Sequence, residues 1–335
     1  MTRLAASTLL AAACVATVIG TLIFRKLAIR WGITAAPSFR TLHEGIKPRA
    51  GGIVFAVVFL CACLTLWTWG HLPARMAMAL LGGGAVATLL GFADDVFNMG
   101  VRWKLLAQMT LSAWTLWVFG GSPVDLPLTP AWLDASVAWL ALVWLLNLYN
   151  FMDGIDGMAA SGAVFLSVGA AVALWLTGHV DLLLVLGLLA VTAGGFLVFN
   201  WPPSRLFMGD AGSVFLGYVF GVLIVSTVGQ SQISMWSWMV LFGYFAVDTT
   251  TTTTLRMFLT DRWYGEHRSH AYQNLARLHN HRVVVSGVTA YHVVWLLPMV
   301  VWSVMSPSLA PVAAACAWVP VILWTWRYGP RLSSA

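Results

Sequence analysis

The sequence predicts an all-α polytopic membrane protein with about eleven transmembrane helices, and two observations carry that expectation. Sixty per cent of the residues are apolar and 9% charged, with a mean hydropathy of +0.83; a water-soluble fold would need a far larger polar surface. The apolar residues also fall in runs of bilayer-spanning length, roughly 17–25 residues each. These runs lie near 4–24, 50–70, 74–93, 103–119, 131–150, 157–177, 180–199, 211–228, 233–256, 283–304 and 311–327.

The first run continues past Cys14 to Phe24 and then meets Arg25-Lys26, which is the pattern of a retained span rather than a cleaved leader. Cys14, Cys61, Cys63 and Cys316 all fall inside runs and read as small packing residues. Glycines at 82–84 and 194–195 permit close helix approach. Many of the 19 tryptophans sit near run ends, where indoles anchor at the membrane interface. No repeat is visible, and residues 1–335 read as one integral membrane domain.

Positive charges near span ends are retained on the cytoplasmic side. If the first connection is cytoplasmic, 16 of the 18 Lys and Arg fall on that side, Arg3 and Arg75 being the exceptions. The expected topology therefore has the N-terminus outside, the C-terminus in the cytoplasm, and cytoplasmic loops near 25–49, 94–103, 151–156, 200–210 and 257–282.

The same alternation places Asp94, Asp95, Asp153, Asp156 and Asp210 on the cytoplasmic side, in a chain with only 12 acidic residues. Adjacent carboxylates such as Asp94-Asp95 repel one another, so a nearby cation or a retained proton explains them more easily; a solvated loop with capping aspartates is the equally simple alternative. Magnesium, held by one or two carboxylates while taking substrate phosphate oxygens, would resolve the repulsion. Lys104 opens the next run and could either snorkel or hold a phosphate. Asn147, Asn150 and Asp153 recur at a spacing of three and descend one helix face toward Asp156. Pro202-Pro203 end the seventh run. Asp210 then opens the eighth, either as a cap favoured by the helix dipole or as a metal ligand with backbone amides beside it for a diphosphate.

Asp248 lies in an otherwise apolar run and precedes six threonines. The loop that follows collects His267, Arg268 and His270 with further basic residues. Zinc lacks supporting ligands there; histidines and arginines suit a diphosphate or nucleotide, and a basic loop drawn to anionic lipid is the structural alternative.

Taken together, KPRAGG (47–52), ADDVF (93–97), NLYNFMDGIDG (147–157), NWPPSRLFMGDAGS (200–213) and HRSHAYQ (267–273) resemble, in order, the signatures of the polyprenyl-phosphate N-acetylhexosamine-1-phosphate transferases, glycosyltransferase family 4. The likeness runs from about Phe39 to Arg282. It implies transfer of a sugar 1-phosphate from a UDP-sugar to undecaprenyl phosphate, with release of UMP and a requirement for magnesium, manganese being the substitute. By motif, Asp94, Asp95 and Asp210 resemble the catalytic carboxylates, with Asp210 as metal ligand. Lys104, Asn150, Asp153, Asp156, His267, Arg268 and His270 resemble substrate-binding residues. HRSHAYQ looks closer to enzymes that initiate O-antigen than to the muramoyl-pentapeptide type, so a simple UDP-N-acetylhexosamine is the expected donor. The resemblance further implies a multi-pass protein of the bacterial inner membrane whose active site faces the cytoplasm. Its partners would be the donor, the lipid acceptor and the bilayer, with no nucleic acid and with a homodimer left open. The alternative function is a transporter of nucleotide sugars or lipid-linked sugars, which would instead place its polar groups near the bilayer midplane between repeated halves.

Overall fold

The computed structural model describes residues 1–35, 47–125, 128–259 and 268–330. All eleven apolar runs are helical. In chain order the helices are α1 (Arg3–Arg30), α2 (Gly52–Thr68), α3 (Ala74–Phe97), α4 (Val101–Phe119), α5 (Ala131–Met152), α6 (Met158–Leu176) and α7 (Leu183–Asn200). They continue with α8 (Asp210–Gly229), α9 (Met235–Leu241), α10 (Gly243–Leu259), α11 (Ala271–Leu278), α12 (His281–Met305) and α13 (Ala310–Tyr328). Among the described residues, eight are long and apolar enough to cross a membrane: α1, α3, α5, α6, α7, α8, α12 and α13.

The other three runs depart from the expected eleven equal spans for visible reasons. α2 is apolar but has 17 residues. α4 carries Arg102, Lys104 and Gln108 in its first half. The ninth run is broken at Phe242 into α9 and α10.

α8 is the centre of the bundle, since 89% of its apolar window is buried inside the protein against 22% for α1. It packs against α2, α3, α4 and α5. Lipid tails are as apolar as leucine, so helices in a bilayer associate through close packing rather than through exclusion of water. Small residues make that packing close here. Gly52 of α2 lies against the backbone of Gly212, and Gly91 of α3 lies against the carbonyl of Asp210; a methyl group at Gly52 or Gly91 would collide with α8. Farther along, Phe55 and Phe59 meet Phe215 edge-on, with ring centroids 5.9 and 5.8 Å apart.

A short antiparallel ribbon joins β1 (Thr34–Ala35) to β2 (Lys47–Pro48), with Thr34 opposite Pro48. The chain beyond β2 then pairs with the segment ahead of α8. Phe207 N donates to Pro48 O at 3.0 Å, Gly51 N to Phe207 O at 2.9 Å and Gly52 N to Met208 O at 2.8 Å. Two motifs far apart in sequence, KPRAGG and SRLFMGD, are thus laced side by side through their backbones.

Candidate active site

Asp94 and Asp95 do not lie on a turn. Both sit in the last turn of α3, which runs to Phe97 and ends at Asn98 in the left-handed conformation. Consecutive helical residues point about 100° apart, so the two carboxylates diverge instead of facing each other. Asp94 accepts from Met99 N at 2.7 Å and forms an ion pair with Lys104, near the start of α4. Asp95 turns to the head of α8, where it accepts from Asp210 N at 3.2 Å and Ala211 N at 3.0 Å. The expectation that these amides stand ready for a diphosphate is therefore not met, because Asp95 already caps them.

Two glycines make that convergence feasible. Gly91, one turn before Asp95, lets α3 touch the first turn of α8. Gly209 has φ +73°, and a side chain there would overlap the Asp95 carboxylate.

Asp210 is the first residue of α8. Its Oδ2 lies 3.6 Å from Lys104 Nζ, and its Oδ1 accepts from Asn150 Nδ2 at 2.9 Å. The Asn150 amide also reaches Ser213 Oγ at 2.9 Å. Asn147, one turn earlier on α5, is used differently: it donates to Gln108 Oε1 at 2.7 Å and so ties α5 to α4. Asp94 and Asp210, from different helices, therefore share a single cationic atom, while Asn150 fixes the second oxygen of Asp210. Among the described residues, no set of three or more His, Cys, Asp and Glu side chains is arranged to enclose a metal ion.

Asp153 follows the last residue of α5. Burial pushes its carboxyl well above the usual carboxylate range, and the charges of Asp210, Asp95 and Asp156 push it further, against a hydrogen bond from Gly209 N. It is thus electrically part of the same cluster. Asp156 is buried and engaged on both oxygens: Ser204 Oγ donates to Oδ1 at 2.7 Å and Ser204 N to Oδ2 at 2.9 Å, while His281 Nδ1 lies 3.6 Å and Lys47 Nζ 4.0 Å from Oδ2. Its neighbour Gly157 donates to Asn200 Oδ1 at 3.0 Å. These bonds clamp together the loops after α5 and α7, the start of α12 and the KPRAGG segment.

His270 is buried between the rings of Phe151 and Tyr272, at 5.9 and 5.7 Å. Arg268 is half-buried, and its carbonyl accepts from Arg277 Nη2 at 2.8 Å. His267 lies outside the described residues. The five acids singled out from sequence thus gather at one end of the bundle, with Lys104 and Asn150 among them. Sequence reasoning passed over Lys47, Asn200, Ser204 and His281 as site residues. The first three belong to motifs it quoted, so motif membership was the available signal for them; His281 falls in the stretch expected as the histidine-rich loop and opens α12.

A glycosyl transferase family 4 model matches residues 77–228, the stretch that contains α3 to α8 and every carboxylate of the cluster. This part of the chain is similar to that family. A Bacillus subtilis (strain 168) protein named "Probable undecaprenyl-phosphate N-acetylglucosaminyl 1-phosphate transferase" is 27% identical over 76% of this chain and 72% of its own length. The phospho-N-acetylmuramoyl-pentapeptide-transferase of Heliobacterium modesticaldum is 35% identical over 54% of this chain and 60% of its own. The decaprenyl-phosphate N-acetylglucosaminephosphotransferase of Mycobacterium tuberculosis is 30% identical over 61% of this chain and 56% of its own. The chain thus spans less than two thirds of the latter two relatives. Polar groups gathered at one end of the bundle, together with the likeness of residues 77–228 to family 4, weigh against the transporter alternative.

Proposed function

We propose that the protein transfers an N-acetylhexosamine 1-phosphate from a UDP-sugar to undecaprenyl phosphate, releasing UMP and starting a lipid-linked surface polysaccharide such as O-antigen. The observation that carries this reading is the convergence of Asp94 and Asp210 on the Lys104 ammonium at one end of a membrane bundle. One ammonium between two carboxylates marks a set of oxygens that a divalent cation could share, and such a cation is what two phosphorylated reactants need in order to approach. The relatives' names point to a polyprenyl phosphate acceptor and a transferred amino-sugar phosphate; the UDP donor is what the motif resemblance implies. Phosphoryl transfer asks for positioned oxygens and neutralised charge more than for covalent help.

Asp210, with Asp94 beside it, is the residue that would hold a divalent cation. Two carboxylates that already share a cation, without a full cage of protein ligands, fit magnesium, which keeps waters and takes phosphate oxygens; manganese accepts the same donors. When bound, the ion would offset the diphosphate charge. Lys104 would move from its carboxylate partners to a phosphate oxygen. Asn150 would keep Asp210 oriented, Asp95 would fix the head of α8 against α3, and Asp94 would orient the incoming lipid phosphate. By the motif resemblance Asp153 would border the donor and Arg268, His267 and His270 would contact it, while Asp156 holds its own loop through Ser204.

A lipid phosphate is already largely ionised near neutrality, its second pKa being about 6, so no strong base is demanded. One of its oxygens bonds to the β-phosphorus of the donor. The bond from that phosphorus to the oxygen bridging the two phosphates breaks, and its electron pair leaves with UMP. The site would face the cytoplasm of the bacterial inner membrane, where a water-soluble donor meets a lipid acceptor. Purified protein given magnesium, undecaprenyl phosphate and a panel of UDP-sugars should release UMP with N-acetylhexosamine donors. Release from none of them overturns the proposal. A labelled enzyme trapped with UDP-sugar in the absence of lipid would replace direct attack by a covalent phospho-aspartate route.

A further inference from the structure

Among the described residues two buried carboxylates lie outside the acid cluster: Asp134, which accepts from the Thr129 hydroxyl, and Asp248. Asp248 lies in α10, fully buried, and the family model ends before it at residue 228. Its Oδ1 accepts from Ala271 N at 3.0 Å and from Thr252 Oγ1 at 3.2 Å, and its Oδ2 accepts from Tyr272 N at 3.4 Å. Ala271 and Tyr272 are the first two residues of α11. Their amides have no partner within the helix, and an anion placed there is stabilised by hydrogen bonding and by the helix dipole. Asp248 thus caps α11 from a different helix, twenty-three residues upstream, and so fixes where α11 begins.

The helix that it holds reaches directly to the candidate site. Tyr272 is fully buried, and its hydroxyl donates to Phe151 O at 2.6 Å. Phe151 is two residues ahead of Asp153. Gly154 lies against the Tyr272 hydroxyl and the Gln273 amide so closely that a side chain there would collide with both. The far side of α11 is pinned to the C-terminal helix, where Asn274 Nδ2 donates to Tyr328 O at 2.7 Å.

We propose that Asp248 is a positioning residue for the donor subsite: by capping α11 it seats Tyr272 on the Phe151 carbonyl and so sets the loop that carries Asp153. The chain of contacts runs from the Asp248 carboxylate to the α11 amides, then from the Tyr272 hydroxyl to the Phe151–Gly154 backbone. The inference rests on the transferase reading for its kinetic consequence but not for its structural one.

Two isosteric substitutions test it. Asp248→Asn turns an amide NH₂ toward one of the two α11 N–H groups, and Tyr272→Phe removes only the hydroxyl. In Asp248→Asn, the backbone amides of Ala271 and Tyr272 should exchange with deuterium at least about tenfold faster, while the melting temperature of the bundle stays close to that of wild type. Each single variant should raise KM for the UDP-sugar about tenfold and leave KM for undecaprenyl phosphate within about twofold. Because the two residues act through one chain, the double variant should be no worse than the poorer single variant. Unchanged exchange at Ala271 and Tyr272 overturns the cap. Equal losses for both substrates, or effects that add, overturn the coupling to the donor side. If wild-type protein releases UMP from no donor, the transferase reading fails, while the exchange measurement still decides the cap.

Discussion

Replacing Lys104 with methionine removes the one ammonium shared by Asp94 and Asp210 while keeping most of the side chain's length. At 3.6 Å the contact with Asp210 has a gross attraction of about 4–5 kcal/mol for an effective dielectric of about 20. Both side chains are 29% exposed, so screening and the desolvation already incurred leave a net loss of about 1–2 kcal/mol. In detergent and EDTA the variant should therefore melt about 2–8 °C below wild type, at about 2–4 °C for each kcal/mol. Saturating magnesium should narrow that gap, because the ion can occupy the oxygens that lysine vacates. Adding Asp210→Asn to the variant should recover part of the loss, since it removes one of the charges left behind. Thermal unfolding followed by tryptophan fluorescence reads each of these conditions. Equal melting temperatures for Lys104→Met and wild type in EDTA, or a gap that magnesium widens, would refute the shared-cation geometry.

Asp153→Asn tests the electrostatic crowding. A carboxyl with a raised folded-state pKa contributes stability at low pH that is lost as pH rises through that pKa, so in EDTA the wild-type melting temperature should fall from acid toward neutral pH and the variant's should fall less, while UMP release drops sharply. Gly91→Ala should destabilise the protein by about 1–3 kcal/mol through overpacking and reduce UMP release about tenfold or more, because the methyl group meets the Asp210 carbonyl; wild-type activity in this variant would disprove the close α3–α8 contact. Reporter tags should place the N-terminus outside and the C-terminus in the cytoplasm, as the charge distribution predicts; both ends on one side would require an even number of spans.

Hydropathy was enough to place the long apolar helices, because lipid constrains the length and composition of a span, but it missed α11, a short helix inside the stretch expected as a loop at 257–282. It could not foresee that the ninth run breaks at Phe242 or that α4 is polar along its first half, since both depend on what surrounds a segment and not only on its mean composition. Motif order gave Asp94, Asp95, Asp153, Asp156 and Asp210. Their division of labour was not legible. Asp95 caps α8, Asp156 clamps Ser204 and Asp94 pairs with Lys104, and those differences arise from the direction each side chain takes across helices. Asp248 stood out as an acid in an apolar run, but its partners at Ala271 and Tyr272 are supplied by a later helix and become visible only when the chain is folded.

Transfer is proposed to depend on a cation held by the oxygens of Asp210. The most direct test is UMP release by Asp210→Asn, measured with magnesium, undecaprenyl phosphate and the best UDP-sugar donor. Release should fall by at least about a thousandfold, with the variant still folded in the membrane. Magnesium-dependent release at the wild-type rate would contradict the account.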